Sequence, residues 1–310
     1  MLSRKISVAS LLTALSVASG GCQSDRSTGG ATLKEVSMNA HTVDGIFDVK
    51  GGGMHLHCSG TGSPTAVFDS ALGQDGSAWN NVAPLVARMA RVCVYDRKGL
   101  GYSDAPSTKP HSVRQMADEL HALLMRGSIG GPYVLVGHSI GGITMRLFAS
   151  SHPDDVSGMV LVEAADDPTV LWSLMPKEAL EKRREELAKS PEGLDYDSFV
   201  ASANEMHAES NTLGDKPLIV LSRGKSDAPP SATPDVAAHW LERWSAQQVE
   251  LPRLSTNSVR VVAPNSGHMM PAQVPSLVVA AVEEVLNAVR THSHVRDSVL
   301  LPFVNGPNGT

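Results

Sequence analysis

One serine in this chain sits where a nucleophile would be made. Gly137-His138-Ser139-Ile140-Gly141-Gly142 follows the apolar run Val134-Leu135-Val136 and precedes a helix-like run from Ile143 to Ser150. A Gly-x-Ser-x-Gly sequence at a strand-to-helix turn is the signature of a nucleophile elbow. The turn is tight enough to strain the serine backbone, and a Cβ at 137 or 141 would collide with the neighbouring strand or helix. Ser139 Oγ then stands clear of the sheet, and the next backbone amides point at whatever it attacks. A hydroxyl is a poor nucleophile until a base takes its proton, so this chemistry requires an imidazole within hydrogen-bond reach. The imidazole in turn needs a carboxylate to hold its tautomer and stabilise the imidazolium.

The chain has twelve histidines. His268 follows the apolar run Val261-Val262-Ala263 and the turn Pro264-Asn265-Ser266-Gly267. His138 lies inside the elbow, and His292 and His294 belong to the tail, where no metal site is expected. Glu163 closes the run Val160-Leu161-Val162, and a carboxylate at the end of a buried strand is costly unless it is paired. Asp227, in Gly224-Lys225-Ser226-Asp227, needs no such explanation, because an Asp in a Ser/Lys loop costs nothing. Asp166 and Asp167 are a third possibility for the acid.

The segments that must position these groups alternate in type. Thr42–Val49 and Met54–Cys58 alternate apolar and polar residues around Gly51-Gly52-Gly53, which predicts a hairpin. Strands are expected at Thr65–Asp69, Arg91–Asp96, Ser157–Glu163, Pro217–Ser222 and Ser258–Ala263. Helices are expected at Asn80–Met89, Ser112–Arg126, Asp235–Leu254, with Trp240 and Trp244 on one face, and Pro275–His292. In Ser112–Arg126 the apolar residues Val113, Met116, Ala117, Leu120, Leu123 and Leu124 fall at helical spacing. Strands alternating with helices argue for a mostly parallel sheet covered on both faces. Residues 167–216 break the pattern: they read as helical, with no strand, and are expected to form a cap over the carboxyl ends of the strands, where open α/β sheets bind ligands.

With these pieces in place the chain resembles the α/β-hydrolase fold family over about residues 42–292. The resemblance is carried by the Gly137–Gly142 elbow, the Asp96-Arg97-Lys98-Gly99-Leu100-Gly101 loop, the Gly-rich loop ending at Trp79, and Ser266-Gly267-His268. It implies an eight-stranded sheet in the order 1-2-4-3-5-6-7-8, with the second strand antiparallel to its neighbours. It also implies His268 as the base, because the family's histidine follows the last strand. For the acid the resemblance leaves two positions open: Asp227, after strand 7, is the commoner one, and Glu163, after strand 6, is the one that haloalkane-dehalogenase-like members use. The cost of an unpaired buried carboxylate favours Glu163. The oxyanion hole is expected to use the N–H groups of Ile140 and Leu72, although Ser70-Ala71-Leu72 departs from the family's usual His-Gly-x. His138 is expected to pack beside that hole, and Asp96 and Arg97 to form a structural ion pair. The resemblance places Cys58 beside Cys93 on neighbouring strands, which implies a disulfide.

The implied activity is a serine hydrolase that cleaves an ester, lactone or related acyl compound through an acyl-enzyme, without a cofactor. A perhydrolase or amide hydrolase of the same fold is an alternative, and so is a relative that binds a small molecule without turnover. Ser at 139 argues against haloalkane dehalogenases and epoxide hydrolases, which use Asp there. Glu178, Glu181, Glu185 and Glu186 read as a solvated helix face rather than the amine-binding acids of related peptidases. Leu171, Trp172, Leu174 and Met175 suggest an apolar pocket wall.

The bulk composition, 42% apolar and 19% charged with a net charge of −6 over 310 residues, fits a globular enzyme with a small-molecule acyl substrate. There is no basic, aromatic-interleaved cluster of the kind that binds nucleic acid. The N-terminus differs. Arg4 and Lys5 followed by the short apolar stretch Ile6–Ala18 predict an export signal over residues 1–22. Ser19-Gly20-Gly21 before Cys22 resembles a bacterial lipobox, in which Cys22 would carry the lipid and be the one membrane attachment. Residues 23–41 are expected to be a flexible tether and 293–310 a frayed tail. The expected location is the periplasm or outer envelope if Cys22 is lipidated and otherwise secretion, and in either place the two remaining cysteines could pair.

Overall fold

The computed structural model describes residues 37–39, 42–209, 213–228 and 232–304. The export signal, Cys22 and most of the expected tether lie outside these residues. Among the described residues no helix is long and apolar enough to cross a membrane.

The strands are β1 (Ser37–Asn39), β2 (Thr42–Asp48), β3 (Gly53–Ser59), β4 (Thr65–Asp69), β5 (Val92–Tyr95), β6 (Tyr133–His138), β7 (Val156–Val162), β8 (Leu218–Arg223) and β9 (Ser258–Ala263). The helices are α1 (Ala83–Val86), α2 (Val113–Arg126), α3 (Ile140–Ser151), α4 (Pro168–Trp172), α5 (Lys177–Ala188), α6 (Tyr196–Ala208), α7 (Pro234–Glu250), α8 (Met270–Gln273) and α9 (Pro275–Thr291). The strands form one sheet in the order β1-β2-β3-β5-β4-β6-β7-β8-β9. From β2 onward this is the expected eight-strand order. β3 runs antiparallel to both β2 and β5, and the strands from β5 to β9 pair in parallel. The expected tether is corrected at one place: Ser37–Asn39 adds a ninth, edge strand by pairing with Thr42–Asp44.

Alternation along the central strands fills both faces. Leu135, Met159, Leu161 and Val220 point to a core shared with α2, α3 and α6. Val134, Val136, Val160, Val162 and Leu221 point to the opposite core, closed by α9 through Leu277, Val278, Ala281, Val282 and Val285. α2 begins on a capping box, with Ser112 Oγ accepting from Gln115 N and the Gln115 side chain accepting from Ser112 N. Its apolar stripe is buried at the residues the spacing predicts. Only Ala83–Val86 of the helix expected at 80–89 is α-helical, with turns on either side.

Two further expectations change. Val295 and Leu300 are buried, and Arg296 grips Glu284 at 2.9 and 3.0 Å, so residues 293–304 pack on the domain instead of fraying. Asp96 and Arg97 do not pair with each other. Successive side chains leaving a strand point to opposite sides: Asp96 meets His55 Nδ1 at 3.0 Å, while Arg97 meets Asp69 and Glu192. Cys58 and Cys93 are register partners on β3 and β5 and form a disulfide.

Candidate active site

Ser139 links β6 to α3 with φ 56° and ψ −121°. A non-glycine residue there costs about 1–3 kcal/mol and persists only where its surroundings over-determine it. They do so here: Ser139 N donates to the Val162 carbonyl at 3.2 Å, and Ala165 N donates to the Ser139 carbonyl at 2.8 Å. A Cβ on Gly137 would stand 2.5 Å from the Gly141 carbonyl oxygen, and one on Gly141 would stand 2.6 Å from the Asp69 carbonyl oxygen. Both positions therefore require glycine, and the second shows that the loop after β4 lies directly against the elbow. Ile140 opens α3, so its N–H has no acceptor within the helix. Leu72 belongs to the loop that backs on Gly141.

Glu163 leaves β7 with φ 48° and is fully buried. Burying an unpaired carboxylate costs several kcal/mol, and this one is surrounded by donors. Oε1 accepts from Arg223 N at 2.6 Å and from Trp244 Nε1 at 3.0 Å. Oε2 lies 3.2 Å from His268 Nδ1 and 3.4 Å from Arg223 Nη1. Asp227 does not share this arrangement. It is about a third exposed, accepts from Trp240 Nε1 at 3.0 Å, and pairs with Arg223 Nη1 at 2.5 Å. Arg223, itself buried, thus stands between the two candidate acids and lies over the Trp244 ring. Of these two, Glu163 is the carboxylate in contact with His268.

His138 is fully buried, and its Nε2–H donates to the His268 carbonyl at 2.8 Å. Burial first, and then the neighbouring His268, push its pKa down to about 3, so the ring is neutral and carries its proton on Nε2. Nδ1, buried without a partner, is the bare lone pair. The ring packs edge-on to Trp79 and 5.0 Å from the His268 ring. His138 therefore helps to anchor the segment that carries His268. Asp166 pairs with Arg146 and Asp167 caps α4, so neither contacts His268.

Ser139, His268 and Asp227 line one cleft of about 340 Å³, whose walls include Leu171, Trp172, Phe199, Trp240 and Trp244. α4, α5 and α6 form the cap expected at 167–216, with no strand between α4 and α6. Leu171 packs with Trp240 and Trp244, while Trp172 lies tilted against Tyr196 and edge-on to Phe199, so the same apolar residues both hold the cap down and face the cleft. Glu178, Glu181 and Glu185 are exposed as expected, and Glu186, also exposed, reaches the cleft edge beside Arg183.

Arg223 and Trp244 are not identifiable as site residues from the sequence, although signals for both exist. Arg223 closes an apolar strand, as Glu163 does, and a buried cation there calls for a partner. Trp240 and Trp244 fall on one face of their helix, but what that face meets is not legible from spacing. Outside the cleft, His121, His152 and Asp155 place ligand atoms within 4.8 Å of one another. The two imidazoles, however, stack at 3.7 Å and 10°, so their in-plane lone pairs run side by side instead of converging on an ion.

Comparison with known proteins agrees with this architecture. A family model described as alpha/beta hydrolase fold matches residues 67–291. Uncharacterized protein YqjL of Bacillus subtilis (strain 168) is 26% identical over 249 residues, which cover 80% of this chain and 94% of that one. Among solved structures, a thermophilic esterase from Thermogutta terrifontis superposes with a TM-score of 0.56 at 22% identity, covering 79% of this chain and 98% of its own. Est816, described as an N-acyl homoserine lactone degrading enzyme, gives 0.53 at 20% identity, covering 77% and 98%.

Proposed function

Because the chain belongs to the alpha/beta hydrolase fold family, we propose that it is a serine hydrolase that cleaves an ester, lactone or related acyl compound through an acyl-enzyme. The observation that carries this reading is the buried Glu163 carboxylate on Nδ1 of His268, which lines the same cleft as Ser139.

With Nδ1–H bound to Glu163, His268 presents Nε2 as its basic nitrogen. Ser139 Oγ attacks the substrate carbonyl as Nε2 takes the serine proton, and Glu163 stabilises the imidazolium so formed. The carbonyl oxygen becomes an oxyanion held by the N–H groups of Ile140 and Leu72. Collapse expels the alcohol, which takes the proton from Nε2 and leaves Ser139 acylated. Water then repeats the sequence, with Nε2 accepting its proton, and releases the acid and free serine. The aromatic and aliphatic walls favour an apolar acyl or alkyl group small enough for the cleft.

We also propose that the protein works outside the cytoplasm, held to a membrane by lipid on Cys22. The signal-like N-terminus supports this, as does the Cys58–Cys93 disulfide, since such bonds persist mainly in oxidising compartments.

A fluorophosphonate probe tests the catalytic reading. Labelling of the wild type that disappears in Ser139→Ala supports it. Folded wild type that takes no label would sink it and favour a relative that binds without turnover. A panel of p-nitrophenyl esters, lactones and amides would then define the substrate class.

A further inference from the structure

A fully buried carboxylate in the cap reaches the loop that lies against the elbow. Glu192 sits in the turn between α5 and α6. Its Oε2 accepts from Gly73 N at 2.8 Å, and its Oε1 accepts from Arg97 Nε at 2.8 Å. Arg97 grips the other side of the same loop. Its Nη1 donates to the Ser70 carbonyl at 2.8 Å and to the Asp69 carboxylate, and its Nη2 donates to the Ala71 carbonyl at 2.7 Å. Asp69, Ser70, Ala71 and Gly73 are thus each bonded to Arg97 or Glu192, with Leu72 between them. The cap turn is pinned as well, because His111 Nδ1 meets the Glu192 carbonyl at 3.0 Å and His111 N donates to the Gly193 carbonyl at 2.9 Å.

We propose that Glu192 is a positioning residue of the reaction: through Arg97 and Gly73 it sets where the Leu72 N–H stands relative to the oxyanion. The inference rests on the reading of Ser139 as nucleophile and Leu72 N–H as oxyanion donor. Donors arrive on both carboxylate oxygens, Arg97 Nε and Nη2 at Oε1 and Gly73 N at Oε2, so an amide cannot replace the carboxylate. A glutamine at 192 would have to turn its NH2 toward either the Arg97 N–H or the Gly73 N–H, and the rejected donor would move. Oxyanion donors act over about 2.7–3.1 Å, and losing one costs roughly 10²–10³-fold in rate, so a displaced donor should cost part of that.

The experiment compares Glu192→Gln with wild type in the full chain, with Glu181→Gln on exposed α5 as control. Two quantities are measured with the fluorophosphonate: the end-point stoichiometry, which counts competent sites, and the rate constant per site, which reports stabilisation of the attacked oxygen. Where the panel supplies an ester substrate, kcat per labelled site and KM are added. The expected result is a 10- to 100-fold lower rate per site and kcat, KM within threefold, and undiminished stoichiometry. A rate per site within threefold of wild type overturns the proposal, even if stoichiometry or Tm falls, because Glu192 would then only hold the cap down. A KM change with kcat intact overturns it as well. If Glu192→Gln does not fold, Arg97→Lys, which keeps the charge and loses the fork, must show the same loss per site. Wild type that takes no label overturns the underlying reading instead, so the two failures are distinguishable.

Discussion

Replacing Glu163 by glutamine is the sharpest perturbation of the site, because its outcome follows from counting donors. Oε1 receives two N–H groups, from Arg223 N at 2.6 Å and Trp244 Nε1 at 3.0 Å. The amide oxygen of the introduced glutamine must take that place, since an NH2 there would leave two buried donors unpaired at about 1–3 kcal/mol each. The NH2 group then faces His268 Nδ1, where Oε2 now lies at 3.2 Å. Two donors cannot share that contact, so His268 is driven to the tautomer with Nδ1 bare and the proton on Nε2. In that form it cannot accept the Ser139 proton. An Asp-to-Asn change that traps a triad histidine in this way lowers kcat about 10⁴-fold, or roughly 5 kcal/mol of transition-state stabilisation at ~1.36 kcal/mol per decade. Glu163→Gln is therefore expected to lose 10³- to 10⁴-fold in kcat with KM little changed and the fold intact. Asp227→Asn keeps the Trp240 bond at a partly exposed position, does not touch His268, and should lose less than tenfold. The assay is steady-state hydrolysis of the best substrate in the ester panel, with circular dichroism on both variants. If Glu163→Gln stays within tenfold of wild type while Asp227→Asn collapses, the acid is Asp227 and the donor argument is wrong.

Three other outcomes are expected. His55 is held above its ordinary pKa, first by Asp96, against partial burial and with help from Asp44; its contribution is fully present below about pH 6.5 and is lost as pH rises through the raised folded value. The urea-midpoint gap between wild type and His55→Gln should therefore be wider at pH 6 than at pH 8.5, and a gap that grows with pH would contradict this. The Cys58–Cys93 bond spans 35 residues, which in the chain-entropy model corresponds to about 4 kcal/mol; Cys58→Ala/Cys93→Ala should lose on that order in urea unfolding, and a loss under about 1 kcal/mol would refute the estimate. Gly137→Ala would press a Cβ to 2.5 and 2.8 Å from backbone atoms of Gly141 and Gly142, which cannot move aside as a side chain could, so a loss of about 3 kcal/mol or more is expected. An unchanged unfolding midpoint would show that the elbow relaxes.

What could be read from the sequence was whatever neighbouring residues impose on one another. Apolar spacing placed α2 and the central strands, and Gly137 and Gly141 marked the elbow because their constraint is local. Even Glu163 could be singled out, because closing an apolar strand with a carboxylate is costly without a partner. The identity of the partners is a different matter, since that depends on which segments the fold brings together. Arg223 and Trp244 converge on Glu163 from 60 and 81 residues away, and Glu192 reaches Gly73 across 119. The same holds for the parting of Asp96 from Arg97, which strand geometry decides once each side of β5 has something to offer. It holds also for the tail, where Val295 and Leu300 show no period but find a surface already made by α9. For this protein, the sequence by itself singled out Ser139, His268 and a short choice of carboxylates as candidates. Tertiary structure put Glu163 and not Asp227 on His268, because only the folded sheet sets the distances between groups so far apart in the chain.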